Sequence, residues 1–260
     1  MRISVLGSGS RGNAVVVESE GRRILLDAGF SCKQIERRLD EVGVDPASLA
    51  AVVLTHEHGD HVRGTDVLAR RYGLPVYATA GTLEESHELS TEVRAAARLL
   101  ASGVRVEVAG FEIEPFAIPH DAHEPVGLVV KAANGQRLGL VADLGSRSRL
   151  AWGRLAQLDL LLLETNHDLE MLRNGPYPWS LKQRVAGRHG HLSNRDAAEG
   201  LPELLCDRLR WVVLYHLSET NNLPALAAAE VGEALAREGA SVRVVVTAQD
   251  RPTPWLEVTS

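Results

Sequence analysis

Residues 56–61 read His56-Glu57-His58-Gly59-Asp60-His61, directly after the apolar run 49–55. Three imidazoles and a carboxylate in six positions form a solvated polar turn or a metal site, and the second fits better. Neutral imidazole and carboxylate are the donors that borderline divalent metals select. In an extended segment His56 and His58 fall on the same side, two residues apart, and can share one ion. Gly59 then permits a turn. Asp60 and His61 open the next helix and face a second position a few ångströms away, as in a two-metal site with ions roughly 3.5–4 Å apart. The motif must therefore end a strand at an edge where other segments can complete the coordination.

Three further apolar runs end in suitable residues: 111–119 in His120, 138–142 in Asp143, and 211–215 in His216. Alone, each would be an ordinary cap or turn residue. Together with the first motif they define a site built along one edge of the sheets. The assignment is His56, His58 and His120 to one metal, Asp60, His61 and His216 to the other, and Asp143 as the bridging carboxylate. His123 competes with His120 for the third position.

Short apolar runs recur along the chain, which has no internal repeat, low-complexity tract or linker, so its 260 residues read as a single domain, 1–260. Strands are expected at 3–6, 14–18, 23–27, 51–54, 75–78, 104–108, 111–118, 126–131, 137–142, 160–163, 210–215 and 242–246, with a hairpin turn at Glu20-Gly21. Helical periodicity covers 32–42, 62–72, 91–101, 147–157, 194–204 and 223–238. The opening and middle run as hairpins, so the pattern predicts an α+β chain of two mixed sheets packed together with helices outside, rather than a doubly wound parallel sheet.

Two cysteines, Cys32 and Cys206, are too few for a disulfide framework, and no run approaches the roughly 20 apolar residues of a membrane span. A cytoplasmic protein with no membrane association is expected. The net charge of −6 argues against a surface that coats nucleic acid everywhere. One segment inverts that sign: from Met171 to Arg195 no Asp or Glu occurs, while Lys182, Arg184 and Arg188 lie close to Tyr177 and Trp179. Basic residues interleaved with aromatics suit a tracked phosphate backbone and stacked bases. The alternative is an amphipathic helix from Ser180 with a solvated basic face.

Other residues fall beside the same edge. The Gly/Ser-rich loop Gly7 to Asn13 lacks a P-loop ending, so it is either a plain turn or a donor nest for phosphate, through Ser10, Asn13 and the loop amides. Asp27 either caps a turn or accepts from a ligand histidine and fixes its tautomer. Glu164, Asn166, His167 and Asp168 follow a buried-strand pattern and serve substrate orientation, proton relay or structural hydrogen bonding. His191 precedes a helix capped by Ser193 or Asn194.

With His120, Asp143 and His216 at strand ends, His-x-His-x-Asp-His resembles the signature of the metallo-β-lactamase fold. The nearest resemblance is to the compact YycJ/WalJ-like group, through Gly7-Ser8-Gly9-Ser10-Arg11-Gly12-Asn13, His120-Asp121-Ala122, Glu164-Thr165-Asn166-His167-Asp168, Tyr177-Pro178-Trp179, Gly190-His191-Leu192-Ser193-Asn194 and His216-Leu217-Ser218. The resemblance spans nearly the whole chain. It implies a four-layer αβ/βα sandwich and a phosphodiesterase with two divalent ions, Zn²⁺ or Mn²⁺. The implied activity is that of a 5′-to-3′ exonuclease on nucleic acid, DNA ahead of RNA. It also implies that His191 protonates the leaving group, with His189 as the acid or a capping role for His191 as the alternatives, and Asp60 and His191 are the candidate catalytic residues. A metal-bridging hydroxide would attack phosphorus in line. Too few residues separate Asp143 from His216 for the inserted domain of RNase J-type nucleases, and no Cys takes the third ligand position as in some lactamases. The competing functions are hydrolysis of a small thioester, lactone or cyclic phosphate, and a non-enzymatic metal-bearing binding module.

Overall fold

A computed structural model describes residues 1–258. The first half of the chain runs β1 (Arg2–Gly7), β2 (Ala14–Ser19), β3 (Arg22–Leu26), α1 (Cys32–Glu41), β4 (Leu49–Val53), α2 (Gly59–Val62), α3 (Thr65–Tyr72), β5 (Val76–Thr79), α4 (Ala80–Glu85), α5 (Thr91–Ala96) and β6 (Arg98–Leu100). Then follow β7 (Val106–Val108), β8 (Phe111–Ala117), β9 (Val126–Ala132), β10 (Arg137–Val141), α6 (Arg149–Arg154) and β11 (Leu160–Glu164). The rest is α7 (Leu169–Asn174), α8 (Trp179–Val185), α9 (Asn194–Gly200), β12 (Trp211–Tyr215), α10 (Pro224–Arg237), β13 (Arg243–Val246) and β14 (Leu256–Glu257).

The strands form two seven-stranded sheets, ordered β14-β1-β2-β3-β4-β5-β6 and β13-β12-β11-β10-β9-β8-β7. Each begins with antiparallel hairpins and turns parallel, at β3/β4 in one sheet and β10/β11 in the other. The first hairpin closes on Glu20 (φ 52°) and Gly21 (φ 75°), the left-handed pair that suits a two-residue turn to strand twist.

Alternation along each strand sorts side chains into layers. Val15, Val17, Leu160 and Leu162 enter the core between the sheets, while Val16 packs beneath Ile35 and Leu39 of α1. Leu161 and Leu163 pack in an outer cluster with Ala197 of α9 and Val231 of α10. Both sheets are thus covered on both faces, and each fully buried leucine contributes about 1.5–3 kcal/mol. The expected two-sheet α+β sandwich is observed.

Boundaries differ in three informative places. The helix expected over 91–101 stops at Ala96, because 98–100 adds to the edge of β5 as a parallel strand and Arg98 donates to the Tyr77 hydroxyl. The helix expected over 62–72 breaks at Gly64, where any Cβ would collide with the Phe30 carbonyl. The helix expected over 194–204 tightens into a 3₁₀ turn at 201–204, with Pro202 in its first turn.

Candidate metal centre

Five strands in the parallel parts of the sheets deliver polar side chains at their carboxyl ends, where open α/β sheets place ligands. Asp27 follows β3, Thr55 and His56 follow β4, Asp143 follows β10, Glu164 ends β11, and His216 follows β12. Asp27, Asp143 and His216 have φ of 57°, 54° and 57°. Left-handed backbone at non-glycine residues costs free energy and persists where surrounding structure enforces it. The local reversal lets a strand end abruptly and turn its last side chain into the site.

The ligand atoms converge in clusters whose members all lie within 4.8 Å of one another: His56, His58 and His120; Asp60, His61 and His216; His56, His61 and Asp143; and Asp143, Glu164, His191 and His216. Asp143 Oδ2 stands 2.8 Å from His61 Nε2 and 3.8 Å from His56 Nε2, between the first two clusters. His216 Nε2 is 3.4 Å from Asp60 Oδ2.

Tautomers follow from the second nitrogen of each ring. His61 Nδ1 donates to Asp27 Oδ2 at 2.7 Å. The Thr55 hydroxyl donates to Asp27 and so accepts from His56 Nδ1 at 3.0 Å. His120 Nδ1 donates to the Gly190 carbonyl, and His216 Nδ1 donates to Glu164 Oε1 at 2.9 Å. In each case Nδ1 holds the proton and Nε2 is left for a metal, while His58 turns Nδ1 inward, 3.2 Å from His120 Nε2.

Glu164 organises the far side. Its Oε1 also accepts from His191 Nδ1 at 2.9 Å, and its Oε2 accepts the amides of Leu144 and Leu192. His191 Nδ1 is 3.1 Å from Asp143 Oδ1 as well. His191 lines a cavity of about 350 Å³ with Ser10, His58, Asp60, His120 and Asp121, roofed by Leu181, Arg184 and Val185 of α8.

Burial and charge divide the histidines. Burial, reinforced by neighbouring His61, pushes His56 well below the usual imidazole range. Burial opposes protonation of His61 too, but Asp27 and Asp143 overcome it and hold the ring charged well above that range. Against the same burial, Asp143 leads Asp60 and Glu164 in pushing His216 up to about 9, and Glu164 with Asp143 raises His191 well above normal. Burial likewise opposes ionisation of Asp143, yet His216 and His61 hold its carboxyl well below the carboxylate range. Protons thus stand where cations could replace them. His56 Nε2 is fully buried without a hydrogen-bond partner, and Asp143 Oδ2 meets the charged His61 ring without a well-aligned hydrogen bond. Leaving buried atoms so poorly paired is costly, and a divalent ion would satisfy both.

Other expected residues fall elsewhere. His123 is half exposed beside Glu85 and joins no cluster, so His120 is the convergent histidine. Asn13 does not face a phosphate: its Oδ1 accepts from Ser8 and Gly9, and its Nδ2 reaches the Asp60 carbonyl and His61. The amides of Ser8, Gly9, Arg11, Gly12 and Asn13 are also spent within the protein, which corrects the phosphate-nest expectation; Ser10 remains exposed at the cavity. Asp168 caps α7 by accepting from Met171 N, and Asn194 exchanges hydrogen bonds with Asn222, so both secure loops rather than face the cavity. Asn166 Nδ2 donates to the His216 carbonyl. His167 is buried, with burial bringing it down to about 4, and its Nδ1 has no partner.

In the basic segment Trp179 is 71% exposed and Tyr177 half-buried. Lys182 Nζ donates to the Arg173 carbonyl, Arg184 pairs with Asp121, and the Arg188 side chain is exposed. Sequence reasoning gave no individual role to Thr55, Ser8, Asn222 or Asp121. Ser8 accepts the His216 amide and donates to Asn13. Only Thr55 and Asp121 had a local signal, adjacency to a ligand histidine.

A family model described as a beta-lactamase superfamily domain matches residues 22–217. Exodeoxyribonuclease YycJ of Bacillus anthracis is 36% identical over 243 residues, 93% of this chain and 92% of that protein. Exodeoxyribonuclease WalJ of Streptococcus pneumoniae is 36% identical over 264 residues, 99% of this chain and 98% of that protein. The solved metallo-beta-lactamase fold protein YhfI from Bacillus subtilis matches with a TM-score of 0.75, covering 97% of this chain and 98% of that one, at 17% identity. That likeness concerns the fold alone.

Proposed function

Because this chain belongs to the beta-lactamase superfamily, in the group of the exodeoxyribonucleases YycJ and WalJ, we propose that it is a metal-dependent nuclease that degrades DNA from the 5′ end. The observation that carries the reading is the convergence of His56, His58 and His120 beside Asp60, His61 and His216 with Asp143 between them. The chain that carries this set is alike over nearly its whole length to proteins named exodeoxyribonuclease. We further propose that residues 1–260 act as one domain in the cytoplasm. Two free cysteines support that address, and no helix among the described residues is long and apolar enough to cross a membrane.

The two clusters with their shared carboxylate fit two divalent ions, Zn²⁺ or Mn²⁺, which when bound supply Lewis acidity and neutralise charge on phosphoryl oxygens. The protein's own part is positional and protonic. Asp27, Thr55, Gly190 and Glu164 pin the Nδ1 edges of four histidines, so the inward atoms are aimed before anything binds. His191, held charged by Glu164 and Asp143, donates a proton to the departing oxygen and is restored from solvent through the cavity mouth. Exposed Trp179 and the cations of α8 support a strand docked across that mouth.

The test is digestion of end-labelled single-stranded DNA and RNA with Zn²⁺ or Mn²⁺, alongside a thioester, a lactone and a cyclic phosphate. Stepwise shortening of DNA from the 5′ end is expected, suppressed by salt and abolished by chelation. Turnover of a small ester without cleavage of either nucleic acid would overturn the reading.

A further inference from the structure

Arg184 is the one cation of α8 that lines the metal cavity, and it does not stand free there. Its Nε donates to Asp121 Oδ2 at 2.5 Å, and Asp121 Oδ1 lies 3.3 Å from His120 Nε2. Both partners are tied to the site. Asp121 follows His120 in the chain, while α8 is fastened to the same histidine from the other side. Val185 accepts the His191 amide, and Gly190 accepts from His120 Nδ1. The ion pair therefore closes a ring over the mouth of the cavity: His120, Asp121, Arg184, the 185–190 segment, and His120 again. Asp121 is 29% exposed at its side chain and Arg184 63%, so water and an incoming anion can both reach the pair.

A guanidinium binds carboxylate and phosphate oxygens with the same planar fork. We propose that Asp121 restrains Arg184, and that an entering phosphodiester strand takes the guanidinium from Asp121 and is clamped by it at the cavity mouth. The inference rests on the nuclease reading for the identity of the strand. It adds a specificity device: a ligand must offer an oxyanion able to displace a carboxylate, so neutral esters gain nothing from Arg184. It also accounts for an acid placed opposite a segment that otherwise contains none.

The restraint predicts a sign that a simple binding role for Asp121 does not. Removing a partly exposed carboxylate partner should tighten binding by about twofold to fivefold, the scale of partly exposed ion pairs. The variants are Asp121→Asn, Arg184→Ala and the double variant, each metal-loaded. Dissociation constants are read by fluorescence anisotropy with a phosphorothioate oligonucleotide, and metal content by elemental analysis. Asp121→Asn should bind more tightly, Arg184→Ala more weakly, and the double variant like Arg184→Ala alone.

An equal gain from Asp121→Asn in both backgrounds would make Asp121 a mere negative charge and overturn the restraint, as would no gain in either. Loss of metal in Asp121→Asn would also overturn it, making Asp121 a support of His120. Cleavage of the ordinary oligonucleotide, measured separately, reports on the nuclease reading. Cleavage without coupling removes only the restraint, and coupling without cleavage removes only the nuclease.

Discussion

Glu164→Gln isolates the logic of the site, because it keeps size and shape and changes one atom's hydrogen-bonding role. The carboxylate accepts at both oxygens: His191 and His216 at Oε1, the amides of Leu144 and Leu192 at Oε2. A glutamine amide has one acceptor oxygen and one donor nitrogen. If the oxygen serves the two amides, the NH₂ faces two ring nitrogens that were donors. Those rings then accept at Nδ1 and keep a proton on Nε2, the atom that His216 turns toward Asp60 and must bare to bind a metal. If the amide flips, the NH₂ faces two backbone donors that cannot adapt. With one or two buried donors unsatisfied, each costing about 1–3 kcal/mol, the expected loss of stability is roughly 1–6 kcal/mol.

Substituting a group that orients a metal-ligating histidine typically weakens metal binding by about 10–100-fold. Here the loss should fall on the Asp60/His61/His216 cluster, with His56/His58/His120 spared, since none of the latter touches Glu164. Competition with a chelator of known affinity reads both constants. Imidazole ¹⁵N shifts of the metal-free protein read the tautomers, and His216 should no longer titrate at about 9. Unchanged affinity for both ions, with His216 still protonated at Nδ1, would refute the account.

Asp143→Ala should cost metal at both positions, since Oδ2 lies between the two clusters; elemental analysis finding two tightly held ions would end the bridging assignment. His191→Ala should keep both metals and lose about 10²–10⁴-fold in turnover on DNA, as expected for a lost general acid; an emptied site would make it a ligand instead. Metal uptake should be coupled to protons. Against burial, its carboxylate neighbours push His216 up to about 9, and Asp27 and Asp143 hold His61 charged as well, so at pH 7 both rings must shed a proton to bind metal. Apparent affinity should therefore climb as pH rises from 7 through about 9. Calorimetry in two buffers of different ionisation enthalpy measures the release, and uptake with none at pH 7 would contradict the raised value.

The sandwich was legible because its strands are buried on both faces and read as unbroken apolar runs, as at 160–163, while hairpin turns announce themselves. β6 was not, because Leu99 and Leu100 continue the periodicity of α5 and only the vacant edge of β5 decides between helix and strand. α4, α7 and β14 are too short to leave a period. In the site, six adjacent residues carried most of the chemistry, and strand ends supplied the rest. The hub role of Glu164 was not visible, since it depends on contacts 27 and 52 residues away. The left-handed turns at Asp27, Asp143 and His216 were also hidden, because no glycine marks them. Asp168 and Asn194 follow the structural alternative that the sequence left open: helix capping and loop clamping hold them.

The ligand set is divided between the sheets, and that division determines what must keep the site in register. Asp27, His56, His58, Asp60 and His61 come from the first sheet and its loops; His120, Asp143, Glu164, His191 and His216 come from the second. The 2.8 Å approach of His61 to Asp143 crosses the junction. In the metal-free protein these groups are buried charges and bare nitrogens, a state that costs free energy rather than supplying it. The alignment must then come from the apolar core just behind, where Val53 and Leu26 of the first sheet pack in one cluster with Leu140, Leu162 and Tyr215 of the second. That core ends where the polar cluster begins, so each strand is fixed up to the last residue before its ligand. The left-handed reversals at Asp27, Asp143 and His216 then turn side chains inward from anchored strand ends. Geometry fit for metal coordination is thus set by packing, and bound metal would relieve an electrostatic cost already built into the fold.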